Sequence, residues 1–155
     1  MQTKRQDDDD TLTVTRIVRA QPHEVFAAWT QPAMVRRWAA RATSIDPRAG
    51  ARVRQKVASR HGLHLVSGEY RELVPARRVV MTWTLESPPD TSSSETRVIV
   101  DLHQAGPNTT EVRVSEHPIP PADRAAAEAA WQATLDLLDP LLTTVADDGA
   151  WRAAG

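Results

Sequence analysis

Residues 12–38, LTVTRIVRAQPHEVFAAWTQPAMVRRW, constrain the chain most, because they change secondary structure twice within a short span. Leu12, Val14, Arg16 and Val18 alternate with Thr13, Thr15 and Ile17, the period-two pattern of a half-buried strand. Gln21-Pro22 ends that strand, since the fixed φ of proline suits the first helical position. Val25, Phe26 and Trp29 follow at helical spacing and give that helix one apolar face. Thr30-Gln31-Pro32 breaks and restarts the helix, with Thr30 as its expected cap and Met34, Val35 and Trp38 as the next buried face. A strand feeding two short helices must find a sheet for them to close.

The rest of the chain supplies one. Residues 51–59 alternate Val53, Gln55 and Val57 against Arg52, Arg54 and Lys56, a strand with a basic, solvated face. His61-Gly62 turns the chain into a longer strand over residues 63–73, in which Gly68 marks a bulge or bend. Pro75-Ala76-Arg77 turns it back, and RVVMTWTLE over 78–86 places Val79, Met81, Trp83 and Leu85 on one face. Residues 87–94 (SPPDTSSS) are too proline-rich to pair. A second hairpin joins residues 96–103 to 109–116 through Gly106-Pro107-Asn108. With a weak strand over 41–46, the count is about seven, mostly in hairpins, so the sheet is expected to be antiparallel. The last helix is expected over 123–145. There Trp131, Leu135, Leu138 and Leu142 form one stripe, and Pro140 is expected to kink or end the regular helix.

Composition sets the outer limits. A chain of 155 residues is one domain, expected to bury roughly 70% of the surface its unfolded form exposes. A formal net charge of -1 and a pI near 6.5 carry no global signature of nucleic-acid binding. Cysteine is absent, which removes disulfides, thiol nucleophiles and thiolate zinc sites together. No apolar run approaches the ~20 residues of a membrane span, so a cytoplasmic protein is expected. Residues 1–10 (MQTKRQDDDD) read as a disordered acidic arm, 11–145 as the domain, and 146–155 as a flexible tail.

The order of strand, two short helices, about six strands and a long final helix resembles the START-like (SRPBCC) superfamily. Within it, the chain is similar to the family named for the activator of heat shock protein 90 ATPase. The segment GEYRELVPARRVVMTW carries the best match, with Gly68, Tyr70, Glu72, Pro75 and Thr82-Trp83 in the family's positions. Arg16, Pro22, Trp29 and Trp38 lead into it, and Trp131, Leu135 and Leu138 close it. Ala39, Ala49 and Ala130 depart from the family pattern where its pocket mouth and helix–sheet contact would lie. The resemblance implies an α+β helix-grip fold, with a curved antiparallel sheet around the long C-terminal helix and a cavity between them.

Such a cavity takes apolar or aromatic molecules and orients them with a few polar groups. Trp38, Trp83 and Trp131 are the expected wall, with Met34 and Met81 as adaptable filler. His64, His103 and Glu116 are the expected polar lining; with His117 they form the one set of titratable groups that strands could gather at one end. His61 and His64 flank a turn and need not converge on a metal, and HExxH, GxSxG, P-loop and dinucleotide motifs are absent. No cofactor or metal is expected. The sequence therefore favours a binding protein for a small hydrophobic ligand over an enzyme. A co-chaperone-like interaction domain and a cyclase, hydratase or hydrolase remain as alternatives. A homodimer joined through the sheet and a chaperone partner are compatible with the sequence.

Overall fold

The computed structural model describes residues 10–31, 34, 44–45, 48–59, 62–85 and 95–148. The fold is α+β: an antiparallel sheet with a long C-terminal helix across it. The strands are β1 (Leu12–Val18), β2 (Ser44–Ile45), β3 (Arg52–Ser59), β4 (Gly62–Val74), β5 (Arg78–Leu85), β6 (Thr96–Gly106) and β7 (Thr109–His117). They lie in the order β1-β7-β6-β5-β4-β3-β2, so every pair from β3 to β7 is a sequential hairpin and β1 is brought to the far side by pairing with β7. Helix α1 (Pro22–Thr30) follows β1, and helix α2 (Arg124–Asp148) ends the described chain. Of the second short helix expected after α1, only Met34 falls among the described residues; Trp38 and the loop over 87–94 lie outside them.

Parity along the strands decides what faces α2. Leu12, Val14 and Val18 are buried while Thr13, Thr15 and Ile17 are not, and the β1–β7 register sets Val14 opposite Val114. Val98, Val100 and Leu102 on β6 and Val79 and Met81 on β5 extend the same face. The helix answers with Trp131, Leu135, Leu138 and Leu142, each no more than 5% exposed. Four such side chains, each contributing about 1.5–3 kcal/mol on burial, hold the helix on the sheet. Arg16 lies on the inner face of β1 and adds two polar contacts, donating to Asp136 at 2.7 Å and to Gln132 at 2.6 Å. Helix α2 runs eight residues past Pro140, so of the two outcomes expected there, a kink or an end, the helix does not end. Among the described residues no helix is long and apolar enough to cross a membrane.

Helix α1 begins as its sequence requires. Pro22 occupies the first turn, and the Gln21 backbone N–H donates to the Glu24 carboxylate at 2.9 Å. At its end the Thr30 hydroxyl donates to the Phe26 carbonyl at 2.8 Å; the helix that Thr30 is expected to cap lies outside the described residues apart from Met34. The Thr110 hydroxyl donates to the Ala20 carbonyl at 2.7 Å and pins the β1–α1 junction to β7.

Tyr70, 1% exposed on β4, donates its hydroxyl to the Trp29 carbonyl at 2.8 Å and so ties the sheet to the end of α1. Burial pushes its phenol well above the ordinary value of 10.0. The folded state thus holds this proton more tightly than the unfolded chain does. That contribution is fully present below the unfolded value and is lost as pH rises above it. Tyr70 is the one tyrosine in the sequence, so phenolate absorbance reports on it alone. The absorbance is expected to rise only together with alkaline unfolding, and titration at the ordinary value in a folded chain would contradict this burial.

Gly68 is expected to tolerate no side chain. A Cβ there would lie 1.9 Å from the Thr82 carbonyl oxygen and 2.6 Å from its carbon, both backbone atoms that cannot swing away. The neighbouring Glu69 N–H donates to the Thr82 hydroxyl at 3.0 Å, so β4 and β5 meet here through a side chain. Gly68→Ala should cost roughly 2–4 kcal/mol in denaturant unfolding.

Candidate functional site

Three indoles and one carboxylate meet where α2 crosses the sheet. Trp131 lies 5% exposed on the inward stripe of α2. Trp29 reaches it from α1, with ring centroids 6.1 Å apart and planes inclined at 39°. Trp83 reaches it from β5, at 5.4 Å and 49°. These are tilted arrangements of the kind aromatic rings prefer over face-to-face stacking. Each indole comes from a different element, so the cluster ties α1, β5 and α2 together.

Glu116 is the polar member. It sits in phase with the buried Val112 and Val114 on β7, between Leu12 on β1 and Val98 on β6, and is 8% exposed. Its Oε1 accepts the Trp131 Nε1–H at 2.8 Å. Its Oε2 accepts the Thr96 hydroxyl at 2.7 Å, a shorter contact than the 3.3 Å from that hydroxyl to the Trp83 carbonyl. Trp83 and Thr96 stand opposite each other at the β5–β6 end and are only partly buried, so this is where the cluster reaches solvent.

Of the residues singled out in the sequence, Trp83, Glu116 and Trp131 are brought together. Met34 (6% exposed) and Met81 (2%) belong to the same buried core. His64 stands on β4 opposite Val57, with its side chain outside the described residues, as is Trp38. The expected gathering of His103, Glu116 and His117 does not form. His103 is out of phase with the buried Val100 and Leu102 and is exposed. It pairs with Glu111, whereas Val98 pairs with Glu116, so roughly 16 Å of strand separates the two. His117, one residue past Glu116, shares a 3.0 Å hydrogen bond between its Nδ1 and the Thr11 hydroxyl.

His103 instead lines a separate groove of about 780 Å³ beside Pro22, Glu72, Arg77, Arg78 and Asp101. Arg78 donates to Asp101 there at 2.8 Å. Ala76 at its rim has a φ of 63°, a left-handed conformation imposed by the Pro75-Ala76-Arg77 turn. Two members of the indole cluster were not among the expected site residues. Trp29 was visible as part of an apolar helix face, but nothing in the sequence marks Thr96 as a partner of Glu116.

A sequence model of the family described as "Activator of Hsp90 ATPase homolog 1-like protein" matches residues 19–143. The chain belongs to that family. The wider resemblance to START-like (SRPBCC) proteins holds as well. Among solved structures, protein CV1439 of Chromobacterium violaceum is similar at 22% identity and a TM-score of 0.71, covering 86% of this chain and 96% of that one. DynU16, a protein of the dynemicin biosynthetic locus, is similar at 23% identity and a TM-score of 0.72, covering 87% of this chain but 48% of its own. An HSP90 activator from Plasmodium falciparum is similar at 17% identity and a TM-score of 0.56, covering 71% and 74%. These likenesses show the fold. No match was found among curated proteins. The family match spans all three indoles and Glu116, so the cluster lies inside the matched region.

Glu116→Ala strands one buried donor, the Trp131 indole N–H, while the Thr96 hydroxyl keeps the Trp83 carbonyl within reach. At about 1–3 kcal/mol for a buried group left unsatisfied, the variant is expected to lose roughly that amount. Calorimetric or denaturant unfolding measures the loss, and a change within 0.5 kcal/mol would show that these bonds contribute nothing.

Proposed function

We propose that this protein binds a small apolar or aromatic molecule between α2 and the sheet and performs no chemistry on it. One observation carries the reading: an indole cluster packs beside a buried carboxylate, and its Trp83 and Thr96 side is only half-buried. Indole walls supply apolar area at low entropic cost, and a single polar group orients the guest. Met34 and Met81 adapt the wall to its shape. The protein works in the cytoplasm. The fold likeness to DynU16 favours a small-molecule role. The fold likeness to an HSP90 activator favours the second reading, a co-chaperone-like interaction domain.

A thermal-shift panel of lipids, polyaromatic compounds and hydrophobic metabolites separates the two. A guest at about 100 times its dissociation constant should stabilise the fold by roughly 2.7 kcal/mol. Its arrival should quench tryptophan fluorescence, and Trp83→Ala should weaken it. A panel without any stabilising compound, together with stoichiometric capture of Hsp90, would overturn the binding reading in favour of the second.

A further inference from the structure

We propose that the guest of the tryptophan cluster is a cationic amine on an apolar or aromatic body, with Glu116 as its counter-charge. The inference rests on the binding reading above and adds the charge of the ligand to it.

Glu116 is a carboxylate in an apolar setting. Its strand neighbours across both registers are Leu12 and Val98, and its own side chain is 8% exposed. Each of its oxygens accepts one hydrogen bond, and both donors are neutral: the Trp131 indole N–H and the Thr96 hydroxyl. A carboxylate has about four acceptor positions, so this pair leaves it capacity for more. Among the described residues no arginine, lysine or histidine forms an ion pair with it. Arg16, the other charge on the inner face, is held by Asp136 and Gln132 and stands opposite Val112. Val112 is four residues along β7 from Glu116, roughly 13 Å. His117 points to the other side of β7 and meets Thr11, and Arg124 donates to the Thr11 carbonyl.

A buried charge without an opposite partner is costly, and a cation placed beside it recovers that cost. The surrounding rings select in the same direction. Trp83 and Trp131 are indoles, whose ring quadrupoles attract a cation and repel an anion. A neutral guest would leave the carboxylate unpaired, and an anionic one would meet repulsion from both carboxylate and rings. Approach comes from the Trp83–Thr96 side, where the cluster is partly exposed.

The test compares naphthylmethylamine, naphthylmethanol and naphthoic acid, three probes of similar shape, by tryptophan fluorescence and calorimetric titration of the full chain. The amine is expected to bind at least about tenfold tighter than the alcohol, and the acid not at all. Glu116→Gln keeps the shape and an oxygen for the Trp131 N–H while removing the charge. It should reduce amine affinity by about tenfold or more and abolish the preference for the amine over the alcohol. Equal affinity for amine and alcohol in the unaltered chain would overturn the amine assignment while leaving the binding reading intact. Failure of all three probes in the unaltered chain would sink both. The probe comparison needs no variant, so it holds even where Glu116→Gln unfolds.

Discussion

The contact between α2 and the inner face of the sheet is what the other features depend on. Neither surface can stay in water, because each carries a continuous apolar stripe or row. Hydrophobic burial alone is non-directional and would let the helix slide or rotate. Two polar pegs remove that freedom. Arg16 on β1 grips Gln132 and Asp136, while Glu116 on β7 grips Trp131. The pegs come from adjacent strands and from positions four residues apart in register, so they act on different sides of the helix. They differ in setting. Arg16 and its partner Asp136 are partly in solvent, with side chains 21% and 69% exposed, so that pair is screened and weak. Glu116 is buried, and its hydrogen bonds act in a low dielectric where their loss is expensive.

Much of this was legible because strands and helices impose different periods. The alternation in LTVTRIV gave β1 and its buried face, and the spacing of Trp131, Leu135, Leu138 and Leu142 gave the inward face of α2. The same parity held the answer for the histidine. In VIVDLHQ, Val98, Val100 and Leu102 mark the inner face, so His103 falls on the outer one. In TEVRVSE, Glu116 shares the phase of Val112 and Val114 and so faces inward. Grouping residues by chemical type set that parity aside and joined His103 to Glu116 across the sheet. What no period encodes is the partnership of Glu116 with Thr96 and Trp131. That depends on the hairpin register and on the rotation of α2, both settled only by the packed whole.

Local breakers were read less well than periods. Pro140 costs its helix one hydrogen bond and meets the carbonyl a turn earlier. Yet the helix continues, because Leu138 and Leu142 on either side are buried at 0% and 1%. Tertiary burial outweighs a penalty of about 3 kcal/mol when it involves several side chains.

The outer groove and the indole cluster differ in what their polar groups can do. In the outer groove Arg78 and Asp101 already pair, with side chains 45% and 23% exposed, and water screens what remains. A charged guest arriving there would gain little beyond what solvent already provides. At the indole cluster the single carboxylate is buried beside an indole and aliphatic neighbours, and its partners are neutral. The same unit of charge therefore interacts far more strongly inside than outside, since its interaction energy scales inversely with the local dielectric.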